Sequence, residues 1–249
     1  MKPTESEVFS ITQKNASENT LSLKKLKGNI LLVDVETTDN DRVIIEISGK
    51  VLNKYLLPIH TFSYIIAETW ESEKRMSGEY ATLDKVNAWK DNIKYGKSQL
   101  LSAKTIASEM NNLFSKYDVS VICAYNLSFD IDAMIKTFRH YGVSVPQIAK
   151  VQKLDLWLYA SVIFIKQRYV NFCVSNNYLT KSKNCLTNAE VVYKYISNDN
   201  TFIESHVAID DVNIELDILR TCALYNGNPK INAYQRPQSY IKQMEKYFK

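Results

Sequence analysis

The chain has no apolar run approaching the roughly 18 residues that a membrane-spanning helix needs. Its first 27 residues are polar and lack the apolar stretch of a secretory signal, which predicts a cytoplasmic protein that is not exported. The four cysteines (Cys123, Cys173, Cys185, Cys222) form no C-x-x-C pair and no metal-finger spacing. They read as small buried hydrophobes in a reducing compartment. Internal repeats and low-complexity tracts are also missing. What is present is ordinary: 249 residues, 45% hydrophobic and 23% charged, enough for one domain with a sizeable core. A net charge of +4 suits an anionic partner such as nucleic acid only mildly.

Residues 1–27 carry little periodic hydrophobicity and read as a flexible or loosely docked extension. Residues 28–225 read as the core, and 226–249 as a tail whose Tyr240, Met244 and Tyr247 could dock on the core or on a partner. In the core, residues 30–35 are a near-continuous apolar run, as for a central strand buried on both faces. Residues 43–52 and 55–66 are rich in β-branched and aromatic residues, and the short breaks between the three runs favour an antiparallel meander. Residues 83–90 suggest a short amphipathic helix. Ile106, Ala107, Met110, Leu113 and Phe114 fall at helical spacing behind Ser102 as N-cap. A buried strand at 119–124 leads into a helix with Phe129, Ala133 and Phe138 on apolar faces. A short strand near 153–154 and helices at 156–172, 188–196 and 207–225 complete an α/β fold built on a mixed sheet flanked by helices.

Three acidic segments carry the chemistry: Asp34-Val35-Glu36-Thr37-Thr38, Asn126-Leu127-Ser128-Phe129-Asp130 and His206-Val207-Ala208-Ile209-Asp210-Asp211. Each has a plain structural reading: a polar strand end before a turn, an aspartate at a helix N-terminus, a histidine ahead of a helix. Together they supply four carboxylates from separate elements. Converging at one end of a sheet, these would repel and raise each other's pKa values. Two divalent cations would neutralise that charge and clamp the attacking and leaving oxygens of a phosphoryl transfer. Hard oxygen ligands suit Mg²⁺ or Mn²⁺ better than Zn²⁺. A histidine that titrates near neutrality is the natural base for the attacking water.

These segments resemble the three motifs of the DEDDh (DnaQ-like) 3′→5′ exonucleases, which have a ribonuclease H-like fold. Asp34-Val35-Glu36-Thr37-Thr38 matches D-x-E-T-T; Tyr125-Asn126-Leu127-Ser128-Phe129-Asp130 approximates H-N-x-x-F-D; His206-Val207-Ala208-Ile209-Asp210-Asp211 matches H-x-A-x-x-D. The separations, about 90 and 80 residues, also fit, and the likeness covers roughly residues 28–225. It implies that Asp34 contacts both metals, that Glu36 and Asp211 hold the one that activates water, and that Asp130 helps hold the second. His206 would be the general base. The backbone near Thr37 and Thr38 would touch the terminal nucleotide, with Asn126 supporting the site. The implied reaction releases nucleoside 5′-monophosphates from the 3′ end of single-stranded DNA, in proofreading, repair or end trimming, with a DNA polymerase or replication protein as a possible partner. Asp39, where the family often has glycine, and Tyr125, where it often has histidine, are departures that touch substrate fit and not the metal ligands.

Neighbouring residues compete for these roles. Asp210 lies about 100° from Asp211 around a helix, so both cannot face one site. Asp132 is the weaker rival of Asp130. Asp155 reads as the N-cap of the next helix, although the family commonly has an acidic residue there too. Lys90, Lys94 and Lys97, and Lys181 with Lys183, read as solvated faces; Tyr80 and Trp89 read as core more than as base-stacking aromatics. An exoribonuclease or oligoribonuclease is the alternative enzyme. A catalytically silent, polymerase-associated nucleic-acid-binding module is the alternative from another class.

Overall fold

The computed structural model describes Leu23 and residues 26–38, 41–78 and 81–227, together with Pro229 and Ile231. Asp39, Tyr80, Tyr240, Met244, Tyr247 and most of the N-terminal extension lie outside the described residues.

Strands β1 (Asn29–Thr37), β2 (Ile44–Leu52) and β3 (Pro58–Ile66) form the expected antiparallel meander. Two short helices, α1 (Ala67–Trp70) and α2 (Glu73–Met76), precede α3 (Leu83–Lys94). Strand β4 (Gln99–Leu101) then adds parallel to the outer edge of β3. Helix α4 (Ala103–Lys116) leads to β5 (Val119–Ala124), and α5 (Leu127–His140) with α6 (Gln147–Lys150) leads to β6 (Gln152–Asp155). β5 runs parallel to β1 and β6 parallel to β5, giving the order β4-β3-β2-β1-β5-β6. This six-stranded mixed sheet, flanked by helices, is an α/β architecture compatible with the ribonuclease H-like fold.

β1 is central, and its two faces serve two cores. Ile30 and Leu32 face α11 (Ala208–Tyr225), while Leu31, Val33 and Val35 face α4 and α5. Both sets are fully or nearly fully buried, which is why the run has no polar alternation. Ser102 caps α4, its Oγ accepting from Thr105 N at 3.1 Å. Leu23 packs into the α11-side core, so packed chain begins ahead of residue 28.

The expected single helix over 156–172 is instead three short ones: α7 (Leu156–Tyr159), α8 (Ser161–Phe164) and α9 (Gln167–Ser175). Lys166 is extended, with ψ 130°. In one straight helix Phe164 and Tyr169 would lie about 140° apart around the axis. The break lets both enter the same core, where they meet at 5.5 Å between ring centroids. Helix α10 (Ala189–Ser197) then packs beside α11. No helix among the described residues is long and apolar enough to cross a membrane.

Candidate active site

β1 outruns its parallel neighbour. Its pairing with β5 ends at Leu32–Cys123, whereas its pairing with β2 continues to Thr37. Beyond Leu32 the β5-side edge is open, and the Asp130 carboxylate accepts the N–H of Val35 there. The first turn of α5 is thereby held against the stretch that carries Asp34 and Glu36. Alternation sends those two side chains to the face of Ile30 and Leu32, the face that α11 crosses. A register shift at Glu36–Thr37, where β2 carries an extra residue, re-aims the strand end at this point.

α11 brings Asp211 in buried at its first turn, while Asp210 stays exposed and accepts from Ser205 Oγ at 3.2 Å. Asp130 is buried and Asp132 exposed, so each motif presents one aspartate inward. Glu36, His206 and Asp211 offer ligand atoms that all lie within 4.8 Å of one another, a grouping that could hold a metal ion. Asp34 and Asp130 stand outside that tightest group. They are nevertheless electrostatic neighbours of each other and of Glu36, and Asp34 of Asp211 as well.

The electrostatics are those of an under-neutralised site. Burial first, then the other carboxylates, raises Asp34 well above the usual carboxylate range; burial also dominates the upward shift of Asp130. Asp211 is pushed up to about 9 by burial, Glu204 and Glu36. Asp34 keeps some residue exposure, yet its Oδ2 is shut off from solvent with no hydrogen-bond partner. Lys85 of α3 supplies one positive charge, its Nζ lying 3.6 Å from Glu36 Oε2. Hard oxygens in excess, with an orphaned buried oxygen among them, fit divalent cations of the Mg²⁺ or Mn²⁺ type.

His206 sits on the strap ahead of α11 in a left-handed backbone conformation, φ 51°. Its side chain is about half exposed, with Nδ1 3.9 Å from Glu204 Oε2. Partial burial and the Lys85 charge lower its pKa, favouring the neutral imidazole. Glu190 tethers the strap: its Oε2 accepts Glu204 N at 3.2 Å, and its Oε1 accepts Lys194 Nζ at 2.6 Å.

The expected substrate-binding residues are placed differently from one another. Thr37 and Thr38 are buried, and the Thr38 amide donates to Val43 O at 2.9 Å, so that N–H closes the β1–β2 turn. Asn126 is exposed, in left-handed conformation (φ 65°) at the N-terminus of α5. Its neighbour Phe129, expected on an apolar face, is instead 36% exposed. Asp155 does cap α7, accepting from Leu158 N at 3.2 Å, and it also accepts the Asn126 N–H. That second bond ties β6 to the start of α5.

Sequence reasoning missed Lys85, Glu190, Glu46 and Glu215. Glu46 is opposite Glu36 in the β1–β2 register and fully buried. It accepts from Trp89 Nε1 at 2.9 Å, Ser63 Oγ at 2.9 Å and Ala208 N at 3.0 Å, so one carboxylate joins α3, β3 and the N-terminus of α11. An acidic residue inside the apolar run 43–52 was the available signal. For Glu215 it was the four-residue spacing from Asp211, which puts both on one helix face. Compared with protein-family models and with curated proteins, the chain matches none.

Proposed function

We propose that the protein is a metal-dependent 3′→5′ exonuclease acting on single-stranded DNA ends. The observation that carries this reading is the grouping of Glu36, His206 and Asp211 within 4.8 Å at the end of β1, with Asp34 and Asp130 as charge neighbours and Asp34 Oδ2 buried and unpartnered. The motif resemblance to DEDDh exonucleases supports it from the sequence side. Asp34, Glu36, Asp130 and Asp211 would hold two divalent cations, which supply a clamp on the attacking and leaving oxygens when bound. His206 takes the proton of the attacking water, whose oxygen forms the new bond to phosphorus. The bond from phosphorus to the 3′ oxygen of the preceding nucleotide breaks, freeing a nucleoside 5′-monophosphate and leaving a new 3′ hydroxyl. A replication or repair setting, and a polymerase as partner, belong to the same proposal.

The test is digestion of matched DNA and RNA oligonucleotides, single- and double-stranded, with Mg²⁺ and Mn²⁺. Release of 5′-mononucleotides from free 3′ ends of single-stranded DNA is expected, stopped by a 3′ block and indifferent to a 5′ block. Asp34→Ala and Asp211→Ala should abolish it, and Asp210→Ala should keep most of it. Preferential digestion of RNA would replace DNA by RNA as substrate. Binding without release from any strand would reduce the protein to a nucleic-acid-binding module.

A further inference from the structure

A fifth carboxylate enters the site from α11. Glu215 lies four residues after Asp211, on the same helix face, and only 3% of it is exposed. Its Oε1 accepts the Tyr125 N–H at 3.2 Å, which seats it at the end of β5, directly ahead of the second motif. Its Oε2 is buried and has no hydrogen-bond partner, as does Asp34 Oδ2. Among the charged groups acting on Asp34, Glu215 has the largest influence, ahead of Asp130, Glu36 and Asp211. A carboxylate oxygen enclosed without a donor is costly wherever it faces apolar atoms or other carboxylates. The cost is offset where the oxygen meets a cation.

The geometry points to Glu215, whose buried Oε2 has no donor, as an additional ligand for a hard divalent cation, Mg²⁺ or Mn²⁺. This rests on the proposed two-metal reading and deepens it: the site would carry five carboxylates. Glu215 positions its free oxygen through the Tyr125 amide, so the ligand is preset by the backbone at the end of β5.

The experiment is Mn²⁺ titration by calorimetry on the full chain without nucleic acid, comparing wild type, Asp34→Asn, Glu215→Gln and Glu215→Asp. For Glu215→Gln the expected result is a loss of roughly ten- to a hundredfold in affinity at one site. Its metal-free melting temperature should be no lower than that of wild type, because one of several mutually repelling carboxylates is gone. If wild type binds Mn²⁺ and Asp34→Asn does not, while Glu215→Gln titrates like wild type, this inference falls and the exonuclease reading stands. Glu215 would then be a protonated structural carboxyl. If wild type binds no Mn²⁺, both fall. Should Glu215→Gln fail to fold, Glu215→Asp is titrated instead; it keeps the charge and withdraws the oxygen by one methylene. Wild-type affinity in that variant also overturns the inference.

Discussion

At the scale of single residues, His206 is the most exposed of the five motif residues and the one whose protonation state matters most. Burial and Lys85 lower its pKa below the ordinary histidine value, so the imidazole is neutral at neutral pH and gains its proton only on acidification. Under the proposed hydrolysis, with His206 as its base, the rate of mononucleotide release should fall on the acid side, through a limb below the usual histidine range. His206→Gln should remove that limb and cost about 10²–10⁴-fold in rate, while Mn²⁺ titration still shows binding. A pH–rate profile unchanged in the variant would assign the base elsewhere. Residues of this kind were legible in the sequence because each carboxylate stands in a short motif with a fixed offset. Glu46 and Glu215 belong to no motif, and their signals, an acid inside the apolar run 43–52 and a four-residue spacing from Asp211, do not say what each one faces. Only pairing across β1 and β2, or packing of α11, shows what each one faces.

At the scale of elements, the site is an alignment problem solved by Glu46. One side chain accepts from Trp89 of α3, Ser63 of β3 and the first amide of α11, and burial raises its pKa against the pull of those donors. Glu46→Ala would leave buried N–H groups of two helices unpaired, at a cost of roughly 3 kcal/mol. Equilibrium urea unfolding should read that loss; a change within about 0.5 kcal/mol, the usual range for surface substitutions, would mean that water replaces the carboxylate. Element reading from sequence succeeded where burial is uniform along a run. β5 falls at the expected 119–124 because both of its faces are covered. It failed where tertiary demands cut across a pattern, as at Lys166, and where an element is too short and exposed to have one, as in β4.

At the scale of the whole molecule, the buried carboxylates make the metal-free fold sensitive to pH in a direction that can be worked out. Asp211 is raised to about 9 and Glu204 to about 7, and Asp34 and Asp130 are raised as well. In each case the folded state holds a proton that the unfolded chain releases at lower pH. Stability from these groups is thus full below the unfolded carboxylate range, near pH 4, and lost as pH rises towards 9. The melting temperature in a chelator should decline between pH 5 and pH 9. Added Mn²⁺ should restore it most at the alkaline end, where the ligands are already ionised. A melting temperature that rises with pH in the chelator would contradict the placement of these groups.

The residues of the site are far apart in the sequence, from Asp34 on β1 to Asp211 and Glu215 on α11, the last described helix. A ribosome would finish the sheet before it made the helix that crosses it. The growing chain would hold the acids of β1 and α5 with neither the histidine nor the α11 carboxylates. The acidic set would be completed in one late step, when α11 emerges and its first amide meets Glu46.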